Sequence, residues 1–488
     1  MTSHTETEIK LDRDGQGELP DLRGGRVARV TTDAALDLDA TYYDTVDLRL
    51  AAHAITLRRR TGGDDEGWHL KLPKGDDTRT EVREPLDGDR VPSAMVRDVV
   101  AIVRNAPLVP VARLRTHRTE HHLRSEDGTD LAVVAEDHVH ADDLIASPHA
   151  VDWHEVEVEL TGGRAAVLRR TRARLKRAGL RPSTAASKLH RALGIAPTAR
   201  TPLGGSTAAT VVLEHLREQI DDIVVRDPGV RVDAPDSVHK MRVATRRLRS
   251  ALATFKPLFD VSRTAPLRDE LTWLAAELGR ARDAEVMWAR LIDAVDELPD
   301  ELVLGPVRRR IDLELKQRHA AAFDAVVTAL DTQRYFRLLD ALDALVADPP
   351  LTAKATRPAR GEVARLAERA GRRVGKAKRV AARASAGGEH DIALHEVRKA
   401  AKRARYAAEV AAPVVGASMA DAAARFEQTQ ELLGEHHDAV VTRSLLRELA
   451  ATAYGAGEQG FTFGLLAGRQ EAAGDAALAR YRAPHRST

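Results

Sequence analysis

The sequence predicts an α+β multidomain protein in which an antiparallel β barrel precedes an all-α domain built from an internal repeat. Three observations carry this expectation. Up to about Leu160, apolar and polar residues alternate with period two, the pattern of strands. From Ala208 onward that alternation vanishes and apolar residues recur three or four apart in Ala-, Leu-, Arg- and Glu-rich segments, the pattern of packed helices. Finally, "HKMRVATRRLRS" from His239 aligns without a gap on "HEVRKAAKRARY" from His395, and "LGRARDA" (278–284) answers "LGEHHDA" (433–439). Each half of the helical region thus repeats a basic helix followed by a Leu-Gly…Asp helix end.

At 488 residues the chain is too long for one hydrophobic core, so two or three domains are expected. The Pro/Gly/Thr-rich stretch "APTARTPLGGST" marks the boundary, which gives a first domain at 1–197, a linker at 198–207 and a second domain at 208–488. Lys and Arg number 75 against 73 Asp and Glu, a formal net charge of +2, so affinity for polyanions must come from local arrangement. Cysteine is absent, which excludes disulfides, thiolate nucleophiles and Cys-ligated zinc and is compatible with a reducing cytosol. No apolar h-region precedes "TETEIK", and no run approaches the roughly 18 apolar residues of a membrane span. A cytoplasmic protein with no membrane partner is expected. Aromatic residues make up only 3% of the chain, which weighs against nucleic acid held on stacking platforms.

The first strand is "TETEIKL" (5–11), in which Glu6, Glu8 and Lys10 share one face. "TYYDTVDLRL", "AITLRRR", "WHLKL", "TRTEVRE", "ARLRTHRTEHHL", "LAVVAEDHV" and "WHEVEVEL" follow in order, separated by Gly, Pro and Asp clusters. A helix from about Arg164 to Arg177 comes next, with Val167, Leu168 and Leu175 able to face the sheet. The charged face continues from strand to strand: Arg58 with Arg60, His69 with Lys71, Arg79 with Glu81, Arg113 with Arg115, and Glu155 with Glu157 and Glu159. Burying unpaired charge is prohibitive. Such a face either stays in water, laced by cross-strand ion pairs, or closes around a ligand that is itself charged. A barrel with a polar lumen meets the second condition. Its carboxylates suit Mg²⁺ or Mn²⁺, which demand hard oxygen ligands, and its Arg and Lys suit the phosphoryl oxygens that such a metal bridges.

"ETEIK" resembles the Glu-x-Glu-x-Lys signature of the CYTH family, the triphosphate tunnel metalloenzymes, at the N-terminal position where that family carries it. "YYDT", "LRRR", "LKLP", "TRTE", "RLRTHR", Asp137, "EVEVEL" and "SKL" (187–189) follow in the family's order, so the resemblance covers essentially residues 1–195. It implies an eight-stranded tunnel. It further implies Glu6, Glu8 and Lys10 as catalytic residues, a divalent metal on Glu6, Glu8, Asp137, Glu157 and Glu159, and a triphosphate on Lys10, Arg58, Arg60, Lys71, Arg79, Arg113, Arg115 and Lys188. Glu155 shares the face of Glu157 and Glu159, and Glu136 lies beside Asp137, so two ligand assignments stay open.

In the helical half, offsets of 0, 3, 7 and 10 residues at about 100° each fall within a stripe of roughly 80°. His239, Arg242, Arg246 and Arg249 therefore form one ridge, and His395, Arg398, Lys402 and Arg405 form its counterpart. Like charges along one helix face repel by a few tenths of a kcal/mol per pair, so a ridge lowers helix stability unless anions offset it. Either the ridges are solvated faces or they line a cleft for polyanions. "HKMRVATRRLR", "LGRARDAEV", "HEVRKAAKRARYAAE" and "LLGEHHDA" resemble the CHAD domain, a helical domain that often follows CYTH in one chain. That resemblance covers about 207–445 and implies inorganic polyphosphate as the ligand of the basic residues. The histidines are phosphate donors or helix-packing residues, and Asp283 and Asp438 orient arginines or cap helices.

The expected function is therefore metal-dependent hydrolysis of inorganic triphosphate or a related triphosphate in the tunnel, with long-chain polyphosphate held by the helical domain and association with polyphosphate granules. Two rivals remain. One is a noncatalytic polyphosphate scaffold, since binding and hydrolysis share ligands; the other is an adenylate cyclase or thiamine triphosphatase, which would want more aromatic or apolar walls at the tunnel mouth.

Overall fold

The computed structural model describes residues 2–14, 18–75, 78–145, 150–195 and 205–483, and the chain divides into two compact units, 1–201 and 202–488. Residues 198–204 of the expected linker lie outside the described residues. Among the described residues no helix is long and apolar enough to cross a membrane.

The first unit contains strands β1 (Thr2–Arg13), β2 (Arg29–Thr32), β3 (Leu36–Asp44), β4 (Thr56–Thr61), β5 (Gly67–Gly75), β6 (Thr78–Glu84), β7 (Val109–Arg124), β8 (Asp130–Asp143), β9 (Ala150–Leu160) and β10 (Arg181–Pro182). It also contains helices α1 (Arg49–Ala52), α2 (Ser93–Val103), α3 (Ala165–Arg177) and α4 (Lys188–Ala192). Neighbouring strands run β1-β6-β5-β4-β3-β7-β8-β9, and β9 pairs back onto β1 with Glu8 opposite Glu159 and Lys10 opposite Glu157. The result is a closed antiparallel barrel of eight strands, which leaves no free edge in the ring. β2 and β10 pair outside that ring, with β7 and β1 respectively.

The barrel is polar inside and apolar outside for most of its wall. On β1 the charged Glu6, Glu8 and Lys10 alternate with Ile9 and Leu11, which join Val134, Val156 and Val158 in an outer core covered by Val167, Leu168 and Leu175 of α3. At one end the lumen is apolar instead: Ala40, Tyr42, Leu114, Val139, Ala141 and Trp153 pack with Leu189 and Ala192 of α4. The stretch "TYYDTVDLRL" is only half strand. The buried Asp44 carboxylate accepts the N–H groups of Thr45, Leu50 and Ala51 at 2.7, 2.8 and 2.9 Å, which ends β3 and nucleates α1.

The second unit is all-α: α5 (Ala208–Arg231), α6 (Ser237–Thr254), α7 (Val261–Asp296), α8 (Val307–Leu330), α9 (Gln333–Ala347), α10 (Ala359–Ala381), α11 (Gly388–Val415), α12 (Ala417–Gly455) and α13 (Phe461–Arg482). Consecutive helices pack as neighbours in α5 to α8 and again in α10 to α13, with α6 against α11 between the sets. The two sets also start side by side. Thr207 bridges to Pro358, with Ala208 N–H on Arg357 O at 2.8 Å and Ala359 N–H on Ser206 O at 2.7 Å.

Candidate functional site

The barrel lumen gathers charge because inward positions of adjacent strands stand opposite one another: Glu6 opposite Arg79, Lys71 opposite Glu81, Arg58 opposite His69, and Arg118 opposite Asp137 opposite Glu155. Side chains then pair across the ring. Lys71 Nζ lies 2.5 Å from Glu6, and Lys10 Nζ lies 3.2 Å from Glu8 and 3.1 Å from Glu157. Arg79 Nε is 3.9 Å from Glu8 while its Nη2 donates to Ala186 O at 2.7 Å. Lys188, brought into the lumen at the start of α4 with Ser187 as N-cap, reaches Asp137, Glu155 and Glu157 at 2.9, 2.7 and 2.8 Å. Arg58 donates to Tyr42 Oη at 3.4 Å, and Arg60 pairs with Asp65.

These pairs set the ionisation of the site. Burial would raise the Glu8 carboxyl, but Lys10, Lys71 and Arg79 override it and hold it at about 2. Glu157 is likewise held well below the usual range, because Lys10, Lys188 and Arg118 outweigh its burial. Glu159 behaves oppositely: burial, with Glu6, Glu8 and Glu157 adding repulsion, pushes it up to about 7. Arg60, buried beside Arg58 and Arg118, is pushed down to about 9. The lumen thus holds an excess of negative charge around Glu159 and an excess of positive charge around Arg60. A divalent cation fits the first: Glu8 Oε1, held only by ion pairing with Lys10 and Arg79, is a buried oxygen that accepts no hydrogen bond, and hard carboxylate oxygens are what Mg²⁺ or Mn²⁺ requires. Two further acidic groupings have ligand atoms close enough to share one ion, His4 with Glu6 and Glu81, and Asp137 with Glu155 and Glu157.

Of the residues expected in the tunnel, Glu6, Glu8, Lys10, Arg58, Arg60, Lys71, Arg79, Glu157, Glu159 and Lys188 line one cavity, and Asp137 is buried against it through Lys188 and Arg118. Arg113 and Arg115 do not. Both are half exposed on the outer wall, paired with Asp39 at 2.5 Å and Asp142 at 2.7 Å. Their inward neighbours on β7 are Leu114, Thr116 and Arg118, so Arg118 is the guanidinium that β7 turns into the lumen. It grips both Asp137 oxygens at 2.7 Å and Glu157 at 3.0 Å. Glu81, Arg83 and Tyr42 also line the cavity. The period-two continuation of Arg79 through Glu81 to Arg83 carried that signal. Glu155 faces inward but is tied to Trp153 Nε1 at 2.6 Å and to Lys188.

In the helical unit the ridges of α6 and α11 meet. A cleft of about 350 Å³ is lined by Arg246, Arg249 and Lys402 of the two ridges, with Arg268, Arg403, Tyr406 and the carboxylate-bearing Asp269 among its other walls; His239, Arg242, His395, Arg398 and Arg405 do not line it. The internal symmetry extends to packing: Arg242 lies over Gly279 and Arg398 over Gly434, the glycines of the two Leu-Gly helix ends. Nε of Arg242, Nε of Arg398 and Nδ1 of His395 are buried without a hydrogen-bond partner. Lys402 is pushed down to about 6 by burial, with Arg246, Arg398 and Arg242 adding repulsion. Arg405 is turned away to Glu409 at 2.7 Å and Glu427 at 2.9 Å. His395 packs on His437 with ring centroids 4.3 Å apart, and burial lowers both His239 and His395. Asp283 does orient Arg242, at 2.9 Å, whereas Asp438 takes Arg290 at 3.0 Å.

Comparison with known proteins agrees with this division. A model of the CYTH domain matches residues 4–191, and a model of the CHAD domain matches residues 214–447. Uncharacterised proteins of two Mycobacterium tuberculosis strains are 42% identical over 482 residues, covering 95% of this chain and 92% of theirs. Among solved structures, PptA from Streptomyces chartreusis is 22% identical with a TM-score of 0.47, covering 57% of this chain and 98% of its own. The CHAD domain from the plant Ricinus communis is 27% identical with a TM-score of 0.46, covering 59% and 98%. A putative adenylyl cyclase from Hippeastrum, described as having a dominant triphosphatase activity, is 18% identical with a TM-score of 0.23, covering 39% and 95%.

Proposed function

Since the chain belongs to the proteins that join a CYTH domain to a CHAD domain, we propose that its barrel hydrolyses inorganic triphosphate or a related triphosphate with a divalent metal, and that its helical unit binds inorganic polyphosphate. The observation that supports the first part is the lumen, a closed ring in which carboxylates and cations interdigitate around one cavity. In this reading Glu6, Glu8, Glu157 and Glu159 hold Mg²⁺ or Mn²⁺, which supplies the positive charge that lets phosphoryl oxygens approach carboxylates and that acidifies a bound water. Arg58, Arg60, Lys71, Arg79, Arg118, Lys10 and Lys188 take the phosphoryl oxygens. The free volume among these side chains is about 70 Å³, so a triphosphate must displace the internal ion pairs as it enters. Asp137 and Glu155 hold Arg118 and Lys188 in position. Polyphosphate binding by the helical unit is supported by the cleft between α6 and α11, where among the described residues Arg249, Lys402 and Arg403 form no ion pair.

The test is a panel of inorganic triphosphate, ATP, thiamine triphosphate and long-chain polyphosphate, offered to the full chain with Mg²⁺, with Mn²⁺ and with EDTA. Phosphate release from triphosphate that stops in EDTA is expected. Undiminished release in EDTA overturns the metal-dependent reading, and tight binding without release assigns the barrel to a receptor role.

A further inference from the structure

A groove on the outer wall, between α3 and the turn at 22–27, encloses about 740 Å³, far more than the lumen. One wall is a single stripe of α3. Ala166, Arg169, Arg170, Ala173, Arg174 and Arg177 stand at offsets of 0, 3, 4, 7, 8 and 11 residues, which fall on one helix face. The two alanines leave a floor, and the arginines rise beside it. The opposite wall is built to receive them: Gly24 and Gly25 take φ of 124° and 68°, and a Cβ at either would collide with the guanidinium of Arg174 or Arg170. Arg174 also donates to Arg23 O. A non-glycine residue would be both strained and in the way.

Among the described residues no carboxylate lines the groove, and the side chains of Arg26, Arg164, Arg169, Arg170 and Arg177 make no ion pair or hydrogen bond. The lumen is the contrast: each cation named there lies within 4.0 Å of a carboxylate or donates to a neighbouring oxygen. The helix dipole explains Arg174, Lys176 and Arg177 in the last turn of α3. It does not explain Arg164 at the helix start, where positive charge is unfavourable.

We propose that this groove is an anion-binding track on the outside of the barrel that holds an extended inorganic polyphosphate chain, separate from the tunnel and from the helical cleft. The choice of polyphosphate rests on the proposed function, whereas the anion site does not. The lining favours polyphosphate over nucleic acid, since it has no aromatic ring on which a base could stack and no Asn or Gln to read a base edge. Guanidinium forks recognise phosphoryl oxygens.

The test uses the full chain carrying Arg242→Glu and Arg246→Glu, so that the helical cleft is weakened, without added metal, and measures binding of labelled long-chain polyphosphate at several salt concentrations. Adding Arg169→Glu with Arg177→Glu is expected to weaken binding by more than about tenfold and to flatten its salt dependence. Arg172→Glu with Lys176→Glu makes the same charge change on the same helix at residues that do not line the groove, and is expected to cost less than about threefold by the screening of exposed charges. Arg169→Lys with Arg177→Lys should retain most of the affinity. Equal losses in the groove and off-groove variants would reduce the effect to a diffuse field and overturn the proposal. So would an unchanged affinity after charge reversal, or equal competition by a single-stranded oligonucleotide. If the barrel releases no phosphate from any substrate while the groove variants still lose polyphosphate, the tunnel reading fails and this site stands.

Discussion

Replacing Arg118 by Met tests whether the lumen, and not the outer wall of β7, holds triphosphate. Arg118 makes three charge-assisted bonds of 2.7, 2.7 and 3.0 Å to Asp137 and Glu157, and its side chain is only 16% exposed. Removing one partner of a buried ion pair costs about 3–5 kcal/mol because the other charge is left unpaired. Asp137 would keep Lys188 at 2.9 Å, so the loss of stability belongs near the lower end, about 3 kcal/mol. Arg113 and Arg115 are each 52% exposed and pair with partly exposed aspartates, and such surface pairs contribute about 0–1 kcal/mol. On the ligand side, a guanidinium bond to a charged group is worth about 1.5–3 kcal/mol, so Arg118→Met should weaken triphosphate binding by roughly tenfold to a hundredfold. Arg113→Met and Arg115→Met should leave it within about threefold. Calorimetric titration with triphosphate gives the affinities, and urea titration of hydrogen-exchange protection in β7 and β8 gives the stabilities. Loss of triphosphate binding in Arg113→Met or Arg115→Met equal to that in Arg118→Met would refute the inward placement of Arg118.

Glu8→Gln removes a buried carboxylate whose Oε1 accepts no hydrogen bond, so the metal concentration for half-maximal phosphate release should rise by at least about tenfold while the fold survives; unaltered metal dependence would show that Glu8 is not a ligand. Arg242→Glu with Arg246→Glu, and separately Arg398→Glu with Lys402→Glu, should each weaken polyphosphate binding by well over about tenfold and spare triphosphate hydrolysis. Arg405→Gln should change polyphosphate binding little, because Arg405 is already committed to Glu409 and Glu427; a loss as large as the double reversals would place it in the cleft after all. Lys402 gives a pH prediction. With its ammonium pushed down to about 6 in the empty cleft, it is mostly neutral at pH 7.5, and a bound polyanion restores its charge by drawing in a proton. Affinity should therefore fall as pH rises above about 6, by up to about tenfold per pH unit, and Lys402→Arg should flatten that slope. A wild-type affinity constant between pH 6.5 and 8.5 would contradict it.

Much of the site was legible in the sequence because a strand's period is two wherever it lies. Once Glu6 faces inward, Glu8 and Lys10 must do so as well, and Arg58 with Arg60 and Glu157 with Glu159 follow by the same rule. The duplication in the helical half was equally legible, since His239 to Ser250 and His395 to Tyr406 align without a gap. Local hydrogen bonding hid one element: the strand alternation of "TYYDTVDLRL" gives no sign that one buried aspartate will gather three N–H groups and bend the chain into α1.

The sequence by itself determined which residues share a face, that the first domain had to reconcile charges of both signs on one side of a sheet, and that the second domain was duplicated. It could not determine which face of each strand turns inward. On β1 the charged face is the lumen and the apolar face packs outside under α3. On β7 the face carrying Arg113 and Arg115 is outside, because Leu114 on the other face fills the end of the barrel with Tyr42, Val139 and Leu189. Only closure of the ring decided this. It made one end of the lumen apolar and the rest ionic, and so let a single strand carry both a core leucine and a lumen arginine on its inward side.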